Sequence, residues 1–350
     1  MNKLEDVSVV IPALNPDERL LGLLEELKKL GFLPPLLVND GSKAECETYF
    51  KMAQEQYDCT VLVHEENKGK GRALKTAFAY LEKDAKCQYA VTIDADGQHT
   101  PEDVLKCILT AKEAENKGKI IFGCRDFSQP QVPAKSRMGN RSMCLLMRFT
   151  CGMTLSDTQT GLRVFPRQYF GKLLEVAGER FEYETNMLID MQKEKIPYGE
   201  VKIQAVYLEN NKSSHFRPVA DSLVIIRPFL KFLVSSCGSS VIDLVAFSLL
   251  FWLLKGIPER EAIWGATVFA RIISASCNYM LNRHRVFGTG SGKSPVKYMT
   301  LCIVQMCMSA ALVAAIYGMV GAGATGIKII VDICLFFLSY QIQREWVFAK

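Results

Sequence analysis

Tyr89-Ala90-Val91-Thr92-Ile93 runs directly into Asp94-Ala95-Asp96-Gly97-Gln98, so an apolar stretch that reads as a buried strand ends in paired carboxylates. In an extended chain, side chains two apart share a face, which lets Asp94 and Asp96 converge on one point. Such a pair, with Gln98 as a third oxygen donor, suits a hard divalent cation bridging a diphosphate. Asp and Gly also close strands for purely local reasons, as turn formers. The surrounding sequence decides between the two.

Apolar runs that end in polar, glycine-rich turns recur at 7–14, 35–39, 59–64, 89–93 and 119–124. Between them lie helical patterns, Leu20-Leu23-Leu24-Leu27 and Leu74-Ala77-Phe78-Leu81, at spacings of three and four. A third helix is signalled by Thr100 as N-cap, Pro101 at the first position and Glu102 and Asp103 in the first turn. Alternating strand and helix predict an α/β domain with a mostly parallel sheet covered on both faces. In such sheets ligands bind outside the carboxyl ends of the strands. Asn15, Asn39 to Ser42, Asn67 to Gly71, Asp94 to Gln98 and Arg125-Asp126 all fall at that edge. Together they describe a site for a nucleoside diphosphate, with acids for base, ribose and metal and cations such as Lys70 for phosphate.

The chain changes character after Pro228. Residues 1–216 mix charged and apolar side chains, whereas 229–254, 262–282, 298–320 and 326–343 are long apolar stretches. Each is near the ~20 residues a helix needs to cross a bilayer. A cytoplasmic domain (1–216), a juxtamembrane linker (217–228) and an all-α four-span membrane domain (229–350) are therefore expected. The short N-terminal apolar run, broken by Pro12 and preceded by Glu5 and Asp6, does not read as a signal peptide. Arg283, Arg285, Lys293 and Lys297 follow the second stretch with no acid among them. Positive-inside logic then puts both termini and this connection on the cytoplasmic side of the plasma (inner) membrane.

The net charge of +5 is spread along the chain and does not point to nucleic acid. Arg217, Arg227 and Lys231 stand where they could meet anionic lipid. Twelve cysteines include no Cys-x-x-Cys spacing, which reads as reduced, buried thiols. Four histidines form no visible Ser-His-Asp or metal-ligand constellation, and His215 reads as a packing residue. Residues 126–216 are less regular: Ser156 to Arg163 is a polar turn between apolar flanks, and Phe181 to Glu184 opens a helix running to about Lys193.

Taken in order and spacing, Ile11 to Asn15, Asn39 to Ser42, Gly69-Lys70-Gly71, Asp94 to His99, Arg125, Asp157 to Arg163 and Ser214 to Arg217 resemble a family 2 glycosyltransferase of the polyprenyl-phosphate type. Asn278 to Arg283 with Val286-Phe287, and Arg344 to Phe348, resemble a GtrA-like membrane domain. The resemblance implies a GT-A fold that moves a sugar from a nucleotide to a lipid phosphate with inversion, using Mg²⁺ or Mn²⁺. It implies that Pro12, Leu14 and Asp40 line the base and ribose pocket and that Asp94, Ala95 and Asp96 meet the nucleotide sugar. Asp96 and Gln98 would hold the metal, and Arg125 and Arg217 the diphosphate or acceptor phosphate. Related membrane enzymes often self-associate, so a homo-oligomer is a further expectation.

Leu14 and Pro16 around Asn15, and Asn39 before Asp40, depart from the family pattern at the nucleotide end. The acceptor phosphate is already anionic at neutral pH, so Asp157 is a candidate for orienting it, with a cap in a polar turn as the alternative. In the membrane part Tyr279, Arg283, Val286 and Phe287 recur as Tyr340, Arg344, Val347 and Phe348. Duplicated hairpins and convergent interface anchoring both account for that. Asp243, Arg271 and Asp332 lie inside spans, where charges usually pair or line a polar cavity, including one for a translocated lipid phosphate. Two other function classes stay open: a processive polysaccharide synthase, and a lipid transporter whose first domain only senses nucleotide sugar.

Overall fold

The computed structural model describes residues 4–129, 132–204, 218–288 and 292–348. It divides into two units, Met1–Ile225 and Ile226–Lys350.

The first unit alternates strand and helix in the order β1 (Val7–Ala13), α1 (Glu18–Lys29), β2 (Leu36–Asp40), α2 (Glu47–Tyr57), β3 (Thr60–His64), α3 (Lys70–Glu82), β4 (Tyr89–Thr92) and α4 (Pro101–Lys112). It continues with β5 (Ile120–Arg125), α5 (Ala134–Cys151), β6 (Arg163–Pro166), α6 (Phe170–Glu175), α7 (Glu182–Lys193) and β7 (Tyr198–Ile203). All seven strands form one sheet in the order β3-β2-β1-β4-β6-β5-β7. β6 runs antiparallel to both β4 and β5, and the remaining pairs are parallel. The α/β expectation is met. Each of the five apolar runs is a strand to within a residue or two at its ends.

Local chemistry explains the helices that sequence reading found. Asp17 caps α1 by accepting from the Arg19 N–H, and Leu20, Leu23, Leu24 and Leu27 are all buried. Burying one such leucine stabilises the fold by roughly 1.5–3 kcal/mol. Thr100 Oγ1 caps α4 by accepting from the Asp103 N–H, with Pro101 in the first turn. Two apolar clusters cover the two sheet faces, one holding Phe78, Phe122 and Tyr183, the other Leu24, Ile93 and Val164. α5 and β6 are what the sequence reading left as irregular. α5 buries only Asn140, Met143, Met147 and Thr150, too mixed a set to show a clear apolar stripe. All twelve cysteines are unpaired, and burial pushes the Cys59 and Cys107 thiols up to about 12.

The second unit is helical: α8 (Pro218–Leu253), α9 (Glu259–Leu281), α10 (Ser294–Val320) and α11 (Ala324–Ile342). The expected linker is thus helical from Pro218, with Pro228 inside α8. Ile226–Leu253, Ser294–Val320 and Thr325–Val347 are long and apolar enough to cross a membrane by length and composition. α9, expected as the second of four spans, does not reach that hydropathy because Arg271, Asn278 and several small polar residues dilute it. Arg271 pairs with Asp243 of α8 at 3.3 Å, and Asp243 also accepts from Ser274 Oγ at 2.8 Å. Asp332 pairs instead with Lys328, one turn away, at 2.8 Å. α9 and α11 both end in π-helical turns, Asn282–Phe287 and Gln343–Val347, which carry Arg283, Val286 and Phe287 in the first copy and Arg344 and Val347 in the second.

Candidate active site

The five polar clusters come together. Asn15, Asp40, Asn67, Gly69, Lys70, Asp94, Ala95, Asp96, Gln98 and Arg125 all line one cleft of about 530 Å³ at the carboxyl ends of the strands. Pro12 and Leu14 line it too, and Met143, Met147 and Leu188 add apolar wall from α5 and α7.

Asp40 shapes this cleft through the backbone beside it. Its carboxylate accepts from the Gly69 N–H (2.8 Å) and the Lys68 N–H (3.0 Å), and its Oδ1 lies 2.7 Å from His64 Nδ1. His64 Nε2 lies 2.9 Å from Thr76 Oγ1. A buried carboxylate that receives these donors has its lone pairs committed, so Asp40 anchors the 64–69 loop. Asn15 and Ser42 tie the neighbouring turns in the same way: Asn15 N–H donates to Ser42 Oγ, and Lys43 N–H to Asn15 Oδ1.

Gly69 and Gly71 allow α3 to begin against the 179–183 segment. A Cβ on Gly69, which has φ +103°, would lie 2.6 Å from Glu179 O, and one on Gly71 2.4 Å from Tyr183 Cβ. That approach places Lys70 Nζ 2.7 Å from Asp94 Oδ1 and 2.9 Å from Glu184 Oε2. Burial opposes the charge on Lys70, but the two carboxylates outweigh it and hold its pKa above the usual lysine value. Against the same opposition, Lys70 and then His99 hold Asp94 well below the usual carboxylate range. His99 Nε2 is 3.6 Å from Asp94 Oδ2. Both oxygens of Asp94 therefore face cations or donors of the protein.

Asp96 differs. Its Oδ1 accepts from the Gln98 backbone N–H at 3.0 Å, and it has no ion pair among the described residues. Burial, and secondly the charge of Asp94, raise its pKa. A partly buried carboxylate in a cleft, held next to a second negative charge, is a site that a divalent cation would relieve. No group of three or more His, Cys, Asp or Glu side chains suited to a metal occurs among the described residues. Asp96 and Gln98, both lining the cleft, are oxygen donors that fit a cation completed by ligand oxygens. β4 ends at Thr92, so Asp94 and Asp96 stand in the turn after the strand; both line the cleft, and Asp94 turns to Lys70.

Arg125 is gripped by Asp157, which is fully buried: Nε donates to Oδ2 at 2.7 Å and Nη2 to Oδ1 at 3.2 Å. Gln159 N–H also donates to Asp157 Oδ1. The capping alternative for Asp157 is thereby realised together with a clamp on Arg125. Asp157 itself is not among the cleft-lining residues, whereas Arg125 and Gln159 are.

Residues 8–174 match the glycosyl transferase family 2 domain, and residues 231–348 the GtrA/DPMS transmembrane domain. The chain carries a family 2 glycosyltransferase domain followed by a GtrA/DPMS transmembrane domain. Among its relatives is the UDP-N-acetylglucosamine–dolichyl-phosphate N-acetylglucosaminyltransferase of Methanococcus voltae, 28% identical over 58% of this chain and 86% of that protein. Dolichyl-phosphate beta-glucosyltransferase of Dictyostelium discoideum is 26% identical over 60% of this chain and 69% of its own length. Among solved structures, glucosyl-3-phosphoglycerate synthase from Mycobacterium tuberculosis with Mn²⁺ and UDP aligns at a TM-score of 0.44 and 17% identity, covering 67% of this chain and 80% of that one. The GT-A expectation is borne out by the family 2 domain and its mostly parallel sheet.

Arg217, together with Ser214, His215 and Phe216, lies outside the described residues. Four further residues stand at or behind the cleft without a role assigned from sequence. Arg180 lines it and donates to Asn67 Oδ1 at 3.0 Å. Glu184 and the buried Arg163 also line it, and His64 stands behind it. Glu184 could have been found as the acid one turn into a helix that opens beside the polar edge. Arg163 closes the Asp157 to Arg163 motif with no task of its own legible there, and nothing local marks His64; β6 and β3 bring them in.

Proposed function

We propose that this glycosyltransferase transfers a hexosyl group from a nucleotide sugar such as UDP-glucose to a polyprenyl phosphate, with inversion, at the cytoplasmic face of the membrane. The observation that carries the reading is Asp96, a cleft carboxylate that makes no ion pair among the described residues, beside an Asp94 that Lys70 and His99 hold ionised. Arg125 and Arg180 face the same cleft and suit a diphosphate. Undecaprenyl phosphate is the acceptor proposed, for modification of a cell-envelope glycan.

In the transfer an acceptor phosphate oxygen forms a bond to the anomeric carbon as the bond to the diphosphate breaks. The nucleoside diphosphate leaves, and no proton need be removed from the nucleophile. Mg²⁺ or Mn²⁺ held by Asp96 and Gln98 would neutralise charge developing on the leaving diphosphate. Arg125, fixed by buried Asp157, presents a guanidinium that does not need to reorganise. Arg180 faces the same cleft from the segment before α7. Arg217 is proposed to hold the acceptor phosphate, and Pro12, Leu14 and Ala95 the nucleoside and sugar.

The membrane domain is proposed to cross the bilayer four times, with both termini and the 283–297 connection cytoplasmic. It anchors the enzyme and would serve in moving the product across. The Arg271–Asp243 pair supports a strut between α8 and α9 rather than a mobile carrier of phosphate.

The test uses purified protein in detergent with Mg²⁺ or Mn²⁺, undecaprenyl or dolichyl phosphate, and a panel of radiolabelled nucleotide sugars. A labelled, mild-acid-labile lipid from one donor establishes the enzyme and identifies its sugar. Donor binding without labelled lipid from either acceptor would instead favour a synthase with another acceptor or a sensing transporter.

A further inference from the structure

Lys70, Asp94, Glu184 and Arg163 form more than a cluster of ion pairs. Lys70 Nζ joins Asp94 Oδ1 (2.7 Å) to Glu184 Oε2 (2.9 Å), and Glu184 Oε1 lies 3.6 Å from Arg163 Nη2. Arg163 Nε donates to Thr160 O at 2.9 Å. The next residue, Gly161, closes the ring against Asp94, where a Cβ would stand 2.3 Å from Asp94 Oδ2. Thr92, at the end of β4, donates through Oγ1 to Gly161 O at 2.8 Å. The circuit therefore passes from the loop after β4 through α3, α7 and β6 and returns to its start.

Its charges balance. Two carboxylates face two cations that are themselves almost fully buried or shielded, leaving Asp96, two residues from Asp94, as the carboxylate outside the ring. Lys70 is held between two acids, so it is placed to orient Asp94 rather than to reach out to a phosphate. Glu184 is the member that joins Lys70 to Arg163. It stands in the first turn of α7, where the helix dipole favours its charge.

We infer that Glu184 is a positioning residue for donor binding: acting through Lys70, it fixes Asp94 and with it the loop that presents Asp96. The inference rests on the donor site proposed above. Without the Glu184 charge, Lys70 would pair with Asp94 alone, and the ring would carry one surplus positive charge beside the cation site. Partners one layer behind a metal ligand typically matter by 10–100-fold in affinity or activity.

The experiment is calorimetric titration of the full-length protein with UDP and with GDP, each in the presence of Mn²⁺. Glu184→Gln should bind about tenfold or more weakly than the wild type. Glu184→Asp, which keeps the charge on a shorter arm, should fall between the two. Lys70→Arg keeps a cation at the junction, and combining it with Glu184→Gln should cost no more than the worse single change. Wild-type binding by Glu184→Gln, or losses that add in the double variant, would overturn the inference and leave the donor site standing. Failure of the wild type to bind either nucleotide would overturn the donor reading and this inference with it.

Discussion

Asn282 Nδ2 donates to Gln343 Oε1 at 3.0 Å, across 61 residues of sequence, and both side chains are buried. The same spacing separates the residues repeated at the ends of α9 and α11, and these meet reciprocally. Tyr279 packs on Phe348 at 5.7 Å and Tyr340 on Phe287 at 5.8 Å, while Phe287 and Phe348 stack at 5.1 Å. Residue i of one copy meeting j of the other, and j meeting i, is the signature of a two-fold relation. Convergent anchoring at a membrane interface would not bring equivalent residues into mutual contact. The duplication reading is favoured.

Replacing Asn282 by Leu should lower stability by about 1–3 kcal/mol, because Gln343 and Asn278 lose their shared donor inside the bundle. Replacing Asn282 and Gln343 together by Leu should cost less than the sum of the single changes. Thermal unfolding in detergent measures both, and strictly additive losses would contradict a coupled pair.

Asp96→Asn should abolish transfer while membrane insertion and melting temperature stay near the wild-type values. Its carboxylate makes no ion pair among the described residues, so its loss strands no buried partner there. Near-normal turnover of the purified variant would exclude Asp96 as the protein's ligand to the cation.

Acid should weaken cation binding earlier than an ordinary carboxylate would dictate. Burial and the Asp94 charge raise the Asp96 pKa above 3.8, so protons compete for it at higher pH. Mn²⁺ affinity should therefore decline as pH falls from neutral through that raised value, with proton release on binding near it. Stability responds in the opposite sense for Asp94. Its pKa is depressed, so its contribution is present above 3.8 and lost as pH falls through the folded-state value. Titrating Mn²⁺ at several pH values, alongside melting curves, separates the two.

Asp40→Asn should destabilise the first unit by about 1.5–3 kcal/mol and raise the donor KM. The amide would turn an NH₂ group toward donors that now converge on the carboxylate from Gly69, Lys68 and His64. A direct nucleoside ligand would instead show a raised KM with an unchanged melting temperature.

Much of the catalytic edge was legible from residues 1–125 because a parallel sheet places each strand's carboxyl end on one side. Asn15, Asp40, Lys70, Asp96 and Arg125 reached one cleft for that reason alone. Their individual tasks were not legible. A carboxylate's chemistry depends on which donors surround it, and those come from distant elements. Asp40 is spent on the 64–69 loop, Asp157 on Arg125, and Lys70 is shared between Asp94 and Glu184.

Strand–helix alternation, the polar clusters at strand ends, the apolar C-terminal stretches and the repeated motif follow from periodicity and local propensity, so the order of residues is enough to read them. Packing in three dimensions sets the rest: that Asp96 has no ion pair among the described residues, that Glu184 and Arg163 line the cleft, and that the two repeats face each other. Those depend on through-space pairing between α3, β6 and α7, and between α9 and α11, which no local pattern encodes.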